Sequence, residues 1–189
     1  MPAVESQMLP IGTKALEFSL PDSDGNLHSL ADGADAYVVM FICNHCPFVM
    51  HVREELARLG RAYGRRNVAI YAINSNDIER YPDDSPSKMK QEAAKWGYSF
   101  PYLFDADQSV AKAYMAACTP DVFVFDAERL LVYRGQLDDS RPSNSEPVDG
   151  RDVRAALDAI LSGEEVSSRQ KPSIGCSIKW KPGNEPDYF

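Results

Sequence analysis

The chain has 189 residues, 44% apolar and 25% charged, with a formal net charge of −8. Those fractions describe an ordinary globular protein with enough chain for one full hydrophobic core. The acidic balance argues against nucleic acid or an anionic membrane as partner, because both are met by basic surfaces.

Residues 1–16 read as a loose lead-in. Leu16 to Leu20 alternates as a short strand, Pro21 to Asn26 is dense in turn residues, and Leu27 to Leu30 is the expected returning strand of a hairpin. Tyr37 to Ile42 is an apolar run of buried-strand length, followed by a helical pattern over Asn44 to Gly60 in which Val49, Val52, Leu56 and Leu59 share a face. Glu54 and Arg58 are spaced as an i, i+4 pair on the opposite face. Val68 to Asn74 is almost wholly apolar, as central parallel strands are, so residues 37–74 form a βαβ unit. After a polar loop over Ser75 to Pro86, the pattern gives a helix over Ser87 to Trp96 that Gly97 ends. A short strand at Tyr102 to Phe104 and a short helix at Ser109 to Ala117 follow. Val122 to Phe125 and Leu130 to Tyr133 flank a turn and predict an antiparallel hairpin. Asp149 is the expected N-cap of a final helix whose inner stripe is Val153, Leu157, Ile160 and Leu161, with Gly163 as its stop. The expected organisation is one domain over residues 1–163 and a tail over 164–189 without regular structure. That tail still carries Ile174, Cys176, Ile178, Trp180 and Tyr188, which predicts that it packs on the domain.

The chemistry concentrates at Cys43-Asn44-His45-Cys46-Pro47, between the first apolar strand and its helix. Open α/β sheets place their sites at this carboxyl edge. A cysteine at a helix N-terminus has its pKa lowered from about 8.5 toward 3.5–7.5. Here that cysteine is expected to be Cys43, with Cys46 one turn on and in reach for a disulfide. His45 between them adds positive charge beside a thiolate. Met1 to Leu20 has no cationic stretch leading into an apolar one, and no apolar run nears the ~20 residues of a membrane span. The expected compartment is therefore the cytosol, where a C-x-x-C in a βαβ setting reads as a redox motif. No cofactor is called for.

With the lead-in Ile11-Gly12, Phe18-Ser19-Leu20 and Asp24-Gly25, the dithiol motif, Thr119-Pro120-Asp121 and Gly175-Cys176-Ser177-Ile178-Lys179-Trp180, the chain resembles the thioredoxin fold. Within that fold it resembles the redoxins of the AhpC/TSA, or peroxiredoxin-like, group. The likeness spans essentially the whole chain. It implies an α/β fold with a central mixed sheet flanked by helices, and a thiol–disulfide oxidoreductase in which Cys43 attacks and Cys46 resolves a mixed disulfide. It also implies that Thr119–Pro120 is a cis bond beside the dithiol, with Thr119 offering backbone hydrogen bonds to an extended substrate. The expected partner is a protein or small-molecule thiol or disulfide.

Two other readings stand beside this one. A thiol peroxidase would use Cys46 as its peroxidatic thiol, although the residues leading into Phe123 to Asp126 include no arginine to polarise peroxide. A copper or zinc carrier would use Cys43, Cys46 and His45, with His51 as a fourth candidate ligand. Tyr37 occupies the position, six residues before Cys43, where thioredoxins carry a buried acid. The proton acceptor for Cys46 is left to His45 or water. Cys118 reads as a small buried hydrophobe, and Cys176 as either a packed tail residue or a third redox thiol that folds back. Lys179 and Lys181 are candidates to cover the mouth of the site.

Overall fold

The computed structural model describes residues 3–188. Its centre is a five-stranded mixed sheet built from β4 (Ala36–Phe41), β5 (Val68–Asn74), β6 (Tyr102–Phe104), β8 (Asp121–Asp126) and β9 (Leu131–Gly135), in the order β6-β5-β4-β8-β9. The pairs β4/β5 and β5/β6 are parallel, whereas β4/β8 and β8/β9 are antiparallel. Both faces of β4 are buried, which is why its residues are apolar without alternation. Val38, Met40 and Ile42 point to one face, where they meet α1 (Pro47–Tyr63), α4 (Arg151–Ser162) and Met89 of α2 (Pro86–Trp96). Tyr37, Val39 and Phe41 point to the other face. There α3 (Ser109–Ala113), the hairpin residues Phe18, Leu20 and Leu30, and the tail residues Ile178 and Trp180 close a second core.

Several local expectations are corrected. The lead-in contains a strand, β1 (Ala3–Glu5). The hairpin pairs only β2 (Leu20–Pro21) with β3 (Leu27–His28), because Asp22 accepts hydrogen bonds from Asp24, Asn26 and His28 and so closes the turn tightly. Helix α1 begins at Pro47, three residues later than Asn44, and runs on to Tyr63. Arg58 pairs with Glu55 rather than Glu54, at 2.6 Å. The carboxylate of Glu55 is buried and is also held by Arg154 of α4 at 2.5 Å. The N-cap of α4 is Gly150 at φ 64°, where an added Cβ would lie 2.8 Å from the Glu55 carboxylate. Asp149 instead accepts from the Arg151 backbone N–H. Gly97 and Gly163 end α2 and α4 in the left-handed conformation, as their positions predict.

The largest correction concerns the tail. Ile174–Ser177 forms strand β10, which lies between β1 and β7 (Cys118–Thr119) in a three-stranded antiparallel sheet. Cys176 stands opposite Ala3 on one side and Thr119 on the other. Two glycines let the tail lie flush on the body. A Cβ on Gly135 would come within 1.9 Å of the Lys171 carbonyl oxygen, and one on Gly175 within 2.0 Å of the Thr119 carbonyl oxygen.

Candidate active site

The carboxyl end of β4 delivers Cys43 into a tight turn, and Cys46 follows as the N-cap of α1 with Pro47 in the first helical position. Proline fits there because the N–H it lacks has no intrahelical partner in any case. Cys43 and Cys46 lie close enough for each to shift the other's pKa, and all four cysteines are free thiols. The Cys43 sulfur lies 3.4 Å from Thr119 Oγ1, and the Cys46 sulfur 3.2 Å from the Thr119 carbonyl oxygen. The Thr119–Pro120 bond beside them is cis. Both cysteines are almost wholly covered, at 2% exposure for Cys43 and none for Cys46.

Which sulfur holds the negative charge follows from position. Cys46, not Cys43, sits at the helix N-terminus. Donation from the Cys43 thiol pulls the Cys46 pKa down most. Burial opposes it, while hydrogen bonds from the Thr119 and Cys176 side chains and the Val49 N–H add to the fall, which reaches about 5. Cys43 is pushed up, first as the donor in that same hydrogen bond, then by burial and by the Asp84 charge. Cys46, at the helix cap, is therefore the more acidic thiol of the pair. This reverses the expectation that Cys43 would be the acidified thiol.

Asp84 is the residue sequence reasoning missed. Its side chain is fully buried, and it organises the turn from 39 residues away. One carboxylate oxygen accepts the backbone N–H groups of Asn44 and His45 at 2.8 and 3.3 Å. The other takes His45 Nδ1 at 2.6 Å and the Asn76 amide at 2.8 Å. Burial alone would raise the Asp84 pKa, but the His45 and Asn76 hydrogen bonds outweigh it and the carboxyl stays low. The same bond to Asp84 raises His45 against the effect of burial, which favours the imidazolium. Tyr81 stacks on the His45 ring, with centroids 5.4 Å apart and planes 5° from parallel. The only sequence signal for this arrangement was an acid pair, Asp83-Asp84, inside a polar loop.

The remaining candidates fall as follows. Tyr37 lies in the second core, on the far face of the sheet from the thiols, so it takes no part in their proton exchange. Cys118 is buried beside the site and is pushed up by burial and by Asp121. Asp121 is itself a wholly buried acid raised to about 8 by desolvation. His51 lines a small cleft together with Pro120. Among the described residues, the groups close enough to share a metal ion are Cys43, His45 and Asp84, whose ligand atoms lie within 4.8 Å of one another; Cys46 and His51 are not in this set. Lys179 is buried with its ammonium 5.8 Å from the Tyr81 ring, whereas Lys181 is partly exposed. A cleft of about 710 Å³ lies at the far end of the sheet beside Asp126, Ile160 and Val166 and is lined by none of the thiols.

Comparison with known proteins fits this geometry. The AhpC/TSA family profile matches residues 11–134. None of the curated proteins matches the chain. Among solved structures, an uncharacterized conserved protein from Geobacillus kaustophilus is 59% identical, with a TM-score of 0.95 over 97% of this chain and 98% of its own. A hypothetical protein from Sinorhizobium meliloti is 51% identical, with a TM-score of 0.93 over 95% of this chain and 99% of its own. The thioredoxin domain of a thiol-disulfide oxidoreductase from Bacteroides vulgatus is 16% identical, with a TM-score of 0.59 over 77% of this chain and 96% of its own. That likeness is one of fold, and the fold is thioredoxin-like.

Proposed function

We propose, for a chain that belongs to the AhpC/TSA family, the activity of a thiol–disulfide oxidoreductase that exchanges electrons through Cys43 and Cys46. The observation that carries this reading is that both sulfurs meet the same residue, Thr119, beside its cis bond to Pro120, with Cys46 capping α1. Joining the two sulfurs in a disulfide passes two electrons to a substrate disulfide, whose thiolates take up their protons from the pair and from solvent. Reopening it needs a reducing dithiol. Asp84 and His45 act on the turn: they fix the backbone at Asn44 and His45 and hold a cation beside the sulfurs, which favours the reduced, charged form.

Thr119 and Pro120 floor the site. The strand edge at Thr119, which the family likeness offers to an extended substrate, is taken by β10 of the same chain. The reading therefore favours a small-molecule disulfide, or one presented on a protruding loop, over an extended peptide. The test is oxidation of the protein followed by alkylation and peptide mass spectrometry. A Cys43–Cys46 link that forms reversibly, together with disulfide turnover that both cysteines are needed for, supports the proposal. Persistent turnover in Cys43→Ser would sink it.

A peroxidase reading is favoured by one feature, the acidified Cys46 at the helix cap. It predicts a sulfenate on Cys46 and fast consumption of peroxide by the Cys43→Ser variant.

A further inference from the structure

The proposed dithiol is covered by protein, so substrate thiols need a way in. Of the four cysteines, Cys43, Cys46 and Cys118 are buried, and Cys176 is the one with a share of solvent. Cys176 is also placed to reach the pair. Strand β10 puts it opposite Thr119, the residue whose side chain and carbonyl contact the two sulfurs. Its side chain packs on the same core cluster as Cys43 and Cys46, close enough to Cys46 for each to shift the other's pKa. The placement is held firmly. Gly175 lies against the Thr119 carbonyl with no room for a side chain, and the Lys179 N–H donates at 2.8 Å to Asn76, which also holds Asp84.

We propose that Cys176 is a third exchange thiol: it takes over the Cys43–Cys46 disulfide as a Cys46–Cys176 disulfide, and this is the form that an external dithiol reduces. The proposal rests on the dithiol reading above. In the first step the Cys176 thiolate attacks the Cys46 sulfur, the Cys43–Cys46 bond breaks, and Cys43 leaves and takes up the proton that Cys176 gave up. One disulfide is exchanged for another, and no oxidant or reductant is consumed. In the second step a thiolate of the external dithiol attacks the Cys176 sulfur and Cys46 leaves as thiolate. The donor's second thiol then attacks the mixed disulfide and releases Cys176. Two electrons and the one proton that Cys176 regains have passed to the protein, and the donor's other proton goes to solvent. The second step suits the groups, because a disulfide opens fastest toward its most acidic leaving thiol, and Cys46, which leaves in that step, is held down to about 5. Burial first, and then Cys46, push Cys176 up to about 12, a rise that the nearby Lys179 charge lessens.

The test uses the whole chain, diamide as oxidant and dithiothreitol as external dithiol. In oxidised Cys43→Ser, alkylation and peptide mapping should find Cys46 linked to Cys176 as the main product. In wild type the Cys43–Cys46 and Cys46–Cys176 links should both appear and interconvert. Oxidised Cys176→Ser should be reduced by dithiothreitol about tenfold more slowly than wild type or worse. Gly175→Ala, which keeps all four thiols but forces β10 off Thr119, should lower the Cys46–Cys176 yield in the Cys43→Ser background. A Cys43→Ser protein that yields no Cys46–Cys176 link, or equal reduction rates for Cys176→Ser and wild type, overturns the third-thiol proposal. Loss of the Cys43–Cys46 link in wild type is a different result and overturns the dithiol reading instead.

Discussion

The dithiol turn and the C-terminal strap meet on Thr119, yet they are built in opposite ways. The turn is local. Four consecutive residues, Cys43 to Cys46, place two sulfurs in contact because a strand ends and a helix begins there. The strap has no strong structure of its own. Its four-residue strand exists because β1 and β7 flank it and because Gly135 and Gly175 leave room for its backbone. In the proposed reading the turn supplies the reactive sulfurs, and the strap lies over Thr119 beside them. Chemistry in this fold is written over a few adjacent residues, whereas access to it depends on a segment more than a hundred positions away.

Removing the central sulfur of the turn should have the largest effect. Cys46→Ser deletes the thiolate and both disulfides it can form. Turnover of a chromogenic aromatic disulfide should fall to the uncatalysed background, while Cys43 is left able to hold a substrate as a mixed disulfide detectable by mass. The pH profile of the wild-type turn sharpens the same point. With Cys46 depressed to about 5, its alkylation rate should stay near its plateau from pH 8 to pH 6 and fall by half near pH 5. A free cysteine, with a pKa of about 8.5, would already have lost most of its thiolate at pH 7. A half-maximal rate near pH 8 would show that the helix cap does not hold the charge.

The contrast between turn and strap also explains what could be read from the chain. The strand Val68–Asn74 and the C-x-x-C were legible because apolar runs and cysteine spacing are local signals. The start of α1 was misplaced by three residues, and with it the charged thiol. Helical periodicity does not reveal that Asn44 and His45 are held out of the helix by the distant Asp84 carboxylate. Glu55 was passed over for Glu54 because the i, i+4 rule describes exposed pairs. The buried Glu55 is satisfied by Arg154, 99 residues away. Strand β10 was missed for the same reason: Ser, Lys, Pro and Gly around it carry no strand propensity, and its pairing partners lie far off in sequence.

Lifting the strap should have an intermediate effect. Gly175→Ala places a methyl carbon where the Thr119 carbonyl oxygen lies only 2.0 Å away, so β10 must shift. Overpacking of this kind costs about 1–3 kcal/mol. The midpoint of denaturant unfolding should fall accordingly, and the tail should become the first site of limited proteolysis. Alkylation of Cys43 and Cys46 should accelerate because their cover is loosened. Faster alkylation of both thiols would show that the strap governs access to them, as the comparison requires. Unchanged alkylation would show that the thiols are reached by another route.

The smallest expected effect lies in the support of the turn. Asp84→Asn keeps the shape of the side chain but removes the charge that His45 faces at 2.6 Å. In the wild type, His45 is raised above its ordinary value by this contact, and Asp84 is held below its own. The sign follows for each group. The His45 contribution to stability is complete below its unfolded pKa of about 6.5 and is lost as pH rises through the elevated folded value. The Asp84 contribution is present above the ordinary carboxylate range near 3.9 and is lost as pH falls through its depressed value. The link is therefore fullest in mildly acidic solution. In Asp84→Asn the His45 titration, followed by the C2 proton in NMR, should move down toward about 6.5. The cost in stability should be about 1–3 kcal/mol, greatest near pH 5–6 and smaller at alkaline pH. A His45 titration that stays where it is in wild type would show that the imidazolium is held by something other than Asp84, and the Cys46 thiolate is the next group to test.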